Sequence, residues 1–485
     1  MILRNNPANP SSDQIVLFPF DDYSLPFQHG VRLHLVRYKA GVDRTRIVVA
    51  PGPPGTPDCG GVIYYGTVLR VGDELWMWYL GQGDDERWIE RVCLAKSRDG
   101  YHWKKPELGL VEYQGSKRNN LVDMLGGAYH ISACVVFYES DEPDPTHRFK
   151  AVVETTKYPN LFTVAFSADG LTWHETERRP DLPSCEMSGG TKFNSCYYLS
   201  GHGGKHFGSL RQLVTFASYD FEHWIEASCL GLRRENIPPR PMVYGDHQGE
   251  QVHLGAALWN RGNVIVGLYG QWHGPDNNDR RHVEMDLGLV VSNDALHYRE
   301  PIPDFRMVEA GEDDFEHLPT PFKFKHSGLV QGQGFENIGE ETLFWYAPWP
   351  EQLSNGVRVA RWQRDRLGYF QASDLKLISA QPRHVISAPI DLEGRPAQVA
   401  LNVDGLSEYA QLGVEILDER FRPLAGYAAE ECAPLESGFE QTVAWQGGER
   451  IEATGPIRIR VNFTGIRPED PQVYAIYVRE ANAEE

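Results

Sequence analysis

Carboxylates recur beside short apolar runs along this chain of 485 residues. Asp58 stands in PGTPDCGGVIYYGTVL, Asp123 in NNLVDMLGGAYHISACVVF and Glu186 in LPSCEMSGGTKFNSCYYL. Asp246 and Glu250 stand in YGDHQGEQVHLGAALW, and Glu336 in QGQGFENIGEETLFWY. Several carboxylates around one pocket are what acetal hydrolysis needs. One must be protonated to serve the leaving oxygen, and another ionised to attack the anomeric carbon or activate water. Like charges at close range raise one pKa, which supplies the acid. A single acid in a glycine-rich loop is more often a turn former, so the inference rests on equivalent placement. On that ground Asp58, Glu186 and Glu250 are the candidate catalytic groups.

Other residues in these segments suit recognition of sugar hydroxyls. His130, Arg211 and Trp272 are candidate hydrogen-bonding contacts, as are Lys192, His247 and Glu336 by their position ahead of an expected inner strand. Trp349, in APWPEQ, is the aromatic best placed to stack on a sugar face, whereas the tryptophans of WMWY and LFWY alternate like core residues. His202, His206, His247, His253 and His273 lack a compact HExxH spacing, so no metal ligand set is assigned. No cofactor is expected, with a structural or axial Ca²⁺ left open. Neither a GKS/T phosphate loop nor a GxSxG elbow occurs, and Ser188 has no evident ordered triad.

The elements that must position these groups are announced by a repeat. SRDGYHW, SADGLTW, SYDFEHW, SNDALHY and the degenerate QRDRLGY pair an aspartate with an aromatic four residues on: Asp99/Trp103, Asp169/Trp173, Asp220/Trp224, Asp294/Tyr298 and Asp365/Tyr369. The aspartates are 70, 51, 74 and 71 residues apart, a repeat stretched by insertions. Short β-branched and aromatic runs bounded by Gly, Asp or Asn precede each copy, so every unit predicts a meander of strands ending in a turn. There the aspartate accepts backbone N–H bonds and the aromatic covers the end of the unit. One meander cannot bury its own faces, but five arranged radially can. The expected architecture is therefore all-β, with a five-bladed β-propeller over residues 1–370. ALNVDG, LGVEILDE, IEATGPIRIRVNF and QVYAIYVRE then predict a β-sandwich over residues 371–485, with a short helical turn in PLAGYAAEECAPL.

Composition narrows the partners. A net charge of −20 without a basic block argues against nucleic acid or an anionic membrane. No run of eighteen apolar residues spans a bilayer, and the N-terminus carries no basic-then-apolar signal. Seven scattered cysteines without CxxC spacing read as buried thiols, and a cytoplasmic location is expected. A homo-oligomer is left open, with the sandwich bracing the propeller or mediating assembly.

SRDGYHWKKPELGLVEYQGSKRNNLV, ELWMWYLG, SADGLTW and SYDFEHW resemble the five-bladed β-propeller glycosidases of the invertase, levanase and arabinanase superfamily. The likeness is nearest to the uncharacterised set similar to glycoside hydrolase family 32. NVDG, LGVEILDE, PLAGYAAEEC and VAWQGG resemble the sandwich that follows the propeller in that group. The resemblance implies a first-blade carboxylate at Asp58, a general acid at Glu186, and an alternative acid or substrate-orienting residue at Glu250. PGTPDCGG stands where WMNDPNG is found in invertases, and no RDP triplet occurs, so fructan specificity does not follow. Three readings remain: an exo-acting glycosidase releasing a terminal sugar, which includes a furanoside; a propeller phosphorylase or transferase; and a carbohydrate-binding propeller without catalysis.

Overall fold

A computed structural model describes residues 3, 14–38, 47–85, 89–159, 161–176, 182, 185–203, 211–234, 247–277, 279–310, 328–349, 356–373 and 381–481. The protein is all-β, and among the described residues helical ones occur only in short 3-10 turns such as Ala429–Glu431, within the segment expected to hold one.

Five antiparallel meanders follow in chain order. Gly61–Val71, Glu74–Gln82 and Glu90–Ser97 form the first, and Ile131–Tyr138, Phe149–Thr155, Phe162–Ser167 and His174–Glu175 the second. Met187–Phe193, Cys196–Gly203, Gln212–Ser218 and Ile225–Leu232 form the third. The fourth comprises Gly249–Asn260, Ile265–Gly274, Glu284–Ser292 and Arg306–Val308. Leu329–Ile338, Glu341–Pro348 and Val357–Gln363 form the fifth, and Ile47–Val49, from far upstream, adds its outermost strand. The leading strand of each meander lies against the leading strand of the next, and a parallel bridge from Gln333 to Thr67 returns the fifth to the first. The five leading strands thus make a closed ring.

In the third and fifth meanders the leading strands are the glycine-rich MSGGTKF and LVQGQGFENI, and the aromatic runs CYYL and LFWY belong to the second strands. Where the leading strands converge there is no room for a side chain. A Cβ on Gly189 would lie 2.0 Å from Ala256 O, and one on Gly332 would lie 2.6 Å from Gly66 O. Every leading strand also carries a bulge, between Ile63/Thr67, Ile131/Ala133, Met187/Gly189, His253/Ala256 and Gln331/Phe335. Bulges re-aim side chains, here around the ring.

Four copies of the repeat are the same turn. In the second, Gly170 N–H donates to Ser167 Oγ at 2.9 Å, and Leu171 and Thr172 N–H donate to Asp169 Oδ1 at 2.8 and 2.9 Å. Trp173 Nε1 closes the turn on Gly170 O. The same carbonyl accepts Trp78 Nε1 of the first meander, and Gly100 O accepts Trp345 Nε1 of the fifth. These turns therefore also pin neighbouring meanders together. The fifth copy differs. Asp365 is buried, accepting Arg261 and Tyr477, while Tyr369 lies in a strand of another sheet.

The remaining strands form two sheets around one core of Val399, Leu401, Val414, Ile416, Ile459, Val461 and Ile476. One sheet runs Gly438–Thr442, Ala397–Asp404, Gln472–Glu480, Gly368–Ala372 and Val31–Leu35, with Gln14–Leu17 also paired to Gln472–Glu480. The other runs Phe27–His29, Arg383–Ile386, Ile457–Gly465 and Ala410–Asp418. The pairing does not follow a division at residue 370, since three N-terminal strands join the C-terminal sheets. Among the described residues the cysteines are free, and most are buried. No helix is long and apolar enough to cross a membrane among them.

Candidate functional site

In an antiparallel meander the head of the first strand, the tail of the second and the head of the third share one end. Glu186 immediately precedes Met187–Phe193, and Glu250 is the second residue of Gly249–Asn260, so both stand at that end of the ring. Glu186 is 40% exposed at its side chain, and its Oε2 lies 3.4 Å from His202 Nε2. The backbone N–H of Leu254 donates to His202 Nδ1 at 2.8 Å. A backbone N–H only donates, so Nδ1 is bare, the ring is neutral, and its hydrogen sits on the nitrogen facing Glu186. Leu254 reaches this position with φ at 62°, a left-handed conformation costly for a leucine, inside the His253/Ala256 bulge. Strain of this kind marks places where the surroundings hold a functional geometry.

Glu250 is built into an ionic chain that crosses the fourth meander. Its Oε2 lies 2.9 Å from Arg234 and 2.8 Å from His273 Nδ1. His273 Nε2 is 3.2 Å from Asp286, and Asp286 is 3.0 Å from Arg306 on the outermost strand. Burial opposes charge on His273, but Asp286 and Glu250 outweigh it and push its pKa up to about 9. A raised folded pKa stabilises fully below the unfolded value, about 6.5, and that stabilisation fades as pH rises through about 9. Melting temperature followed from pH 6 to 10 should therefore fall more steeply for the native chain than for His273→Gln.

Between the two carboxylates lies a packed floor. The His202 and His253 rings are 5.7 Å apart, and His253 lies 5.8 Å from Trp272 and 5.6 Å from Trp349. Burial, with the Arg211 charge nearby, holds His253 well below its ordinary pKa, so it is neutral. The Arg211 guanidinium covers Trp272 at 4.4 Å, and His247 stacks on the same ring. Arg234 donates to Trp272 O, which links the floor to Glu250. Trp272 and Trp349 are 0% and 5% exposed, so they support the site as core residues and neither offers a stacking face.

Asp58 and His130 also stand just ahead of leading strands, but in other settings. Asp58 is 1% exposed, and it accepts Tyr79 OH at 2.7 Å and Thr56 Oγ1 at 3.1 Å while pairing with Lys105. Its carboxylate is sealed inside the first meander. His130 Nδ1 accepts the backbone N–H of Glu90, and burial lowers its pKa. Lys192 and Glu336 belong to the far end of the ring. Lys192 is the sixth residue of its strand and Glu336 the eighth of Leu329–Ile338. At about 3.3 Å per residue, Lys192 lies roughly 20 Å from Glu186. Asp246 and His206 lie outside the described residues.

Several groups escaped the sequence reading. Arg234, Asp286 and the role of His202 beside Glu186 depend on pairing that no local motif announces. Glu90, at the head of ERVCLAKS, is half-buried, and that burial pushes its pKa up to about 7. Its place before an apolar strand was the available signal. Among the described residues no group of three His, Cys, Asp or Glu side chains is arranged to hold a metal ion.

No family model and no curated protein matches this chain. Solved structures with a similar fold include a glycosyl hydrolase from Bacteroides ovatus, at 14% identity over 68% of this chain and 94% of that one, TM-score 0.43. Another is the glycoside hydrolase family 32 β-fructofuranosidase of Bombyx mori, at 13% identity over 91% and 94%, TM-score 0.39. A third is described with the family 130 mannoside phosphorylases, which contain hydrolases that target β-1,2 mannosidic linkages in Candida mannan. It shows 12% identity over 70% and 95%, TM-score 0.41.

Proposed function

We propose that this chain is a glycoside hydrolase whose five meanders are the blades of a β-propeller, braced by a β-sandwich built from both ends of the chain. It removes a terminal sugar, including a furanoside, from a glycoside or oligosaccharide at the end of the ring where the inner strands begin. The observation that carries this reading is the contrast between two carboxylates. Glu186 is open to solvent with one neutral histidine beside it, whereas Glu250 is flanked by Arg234 and a charged His273. Paired carboxyls in contrasted settings are what divides acid from base in acetal cleavage. Glu186 protonates the glycosidic oxygen as it leaves, and Glu250 faces the positive charge that develops on the sugar. Asp58 serves the architecture of the first blade.

A second reading has its own support. With Asp58 sealed against Lys105, a propeller that binds carbohydrate without turning it over also fits. A panel of aryl furanosides, aryl pyranosides and short oligosaccharides, assayed with and without inorganic phosphate, separates the possibilities. Sugar release in phosphate-free buffer supports hydrolysis. Release of sugar phosphate only when phosphate is present replaces it with phosphorolysis, and saturable binding without turnover favours the second reading.

A further inference from the structure

The far end of the ring holds a second cavity, of about 1180 Å³, closed on one side by the C-terminal sheets. Its wall runs from Leu258–Arg261 and Phe335–Asn337 of the ring to Arg395 and Arg479 beyond it. Six arginine and lysine side chains line it against three glutamates, in a chain whose net charge is −20. A cationic cavity in so acidic a protein concentrates field for an anion.

The pairing inside is incomplete. Lys192 and Tyr197 OH are both spent on Glu139, and Arg70 leans on Glu336 at 3.5 Å. Arg364 has no carboxylate within 4.0 Å among the described residues. It rests over Phe439, donates from Nη1 to Gly339 O at 3.3 Å, and leaves its buried Nε without an acceptor. A buried guanidinium donor without a partner is costly, and an anion that supplied one would be held strongly. Glu139 already accepts Lys150, Lys192 and Tyr197 OH, so Glu336, paired with Arg70 at 3.5 Å, is the carboxylate placed to accept a ligand hydroxyl. Trp259 is covered by Phe335 and Arg261, so the cavity offers no free stacking face there.

We propose that this cavity binds a hydroxylated anion of sugar size, a sugar phosphate or a sugar acid, with its anionic group at Arg364 and a hydroxyl on Glu336. The assignment stands apart from any reaction at the opposite end, because it is read as binding without turnover. Calorimetric titration of the full chain with glucose 6-phosphate and with glucuronate tests it, with glucose and inorganic phosphate as the uncharged and sugar-free controls. Support is saturable binding of either charged sugar, roughly tenfold or more tighter than both controls and weakened about tenfold by Arg364→Gln, the worth of one charge-assisted hydrogen bond. Which charged sugar binds tells phosphate from carboxylate recognition. Arg70→Gln, at an arginine whose side chain is 41% exposed, should weaken the same binding and stands in if Arg364→Gln does not fold. No binding of either charged sugar, equal binding of a control, or full affinity in the folded variants overturns the proposal.

Discussion

Glu186→Gln is expected to lower turnover of an unactivated glycoside by about 10²–10⁴-fold, the usual worth of a positioned general acid. The loss on an aryl glycoside with a good leaving group should be far smaller, because that oxygen departs without a proton. The asymmetry follows from the site. Glu186 is the more open of the two carboxylates, and His202 fixes it through a ring whose other nitrogen is committed to Leu254. Glutamine keeps the shape and the contact with His202 but has no proton to give. Equal losses on both substrates would remove Glu186 from the acid role and leave it a binding residue.

The second large effect concerns stability. Asp365→Ala should cost about 3–5 kcal/mol in denaturant unfolding, the range for removing one partner of a buried ion pair. Asp365 is 1% exposed and accepts Arg261 Nη2 at 3.1 Å, Asn337 Nδ2 at 3.0 Å and Tyr477 OH at 2.9 Å. Its loss would leave the buried Arg261 charge uncompensated. Arg261→Met combined with Asp365→Leu should recover much of the loss, since the pair would then be absent rather than broken. Burial raises the Asp365 carboxyl, but Arg261 and the hydrogen bonds outweigh that and hold it below its usual range. A depressed folded pKa stabilises above the unfolded value, about 3.9, and the benefit is lost as pH falls through the lower folded value. Acid titration of the native chain should show this loss, and the double variant should not.

The sequence made the meanders legible because a turn advertises itself locally. Ser167, Asp169 and Trp173 lie within seven residues, and each makes the bond its type and spacing foretell. Of the tryptophans of WMWY and LFWY, Trp78 and Trp345 are fully buried, as a core role requires. The inner strands were harder to see. Their glycines answer to another segment's backbone, as Gly189 does to Ala256 O, and such a demand leaves no local pattern. Lys192 and Glu336, expected ahead of an inner strand, lie late within one instead, at the opposite end of the ring. Glu186 precedes one inner strand and Glu250 is the second residue of another, so their place at that end of the ring can be read once the strands are known. Asp365 kept the spacing of the repeat but not its environment, since its partner Arg261 is 104 residues away.

The pairing of Gln14–Leu17 with Gln472–Glu480, and of Ile47–Val49 with Val357–Gln363, sets a timetable for synthesis. Gln14–Leu17 and Ile47–Val49 find their partners among segments made much later. At roughly 5–20 residues per second, Gln14 waits on the order of half a minute or more before Arg479 leaves the ribosome. Until then Ile15, Val16 and Leu17, all buried in the finished protein, have no sheet to join. The nascent chain therefore carries an open apolar strand through most of its manufacture, a target for chaperones or for a neighbouring chain at the same stage.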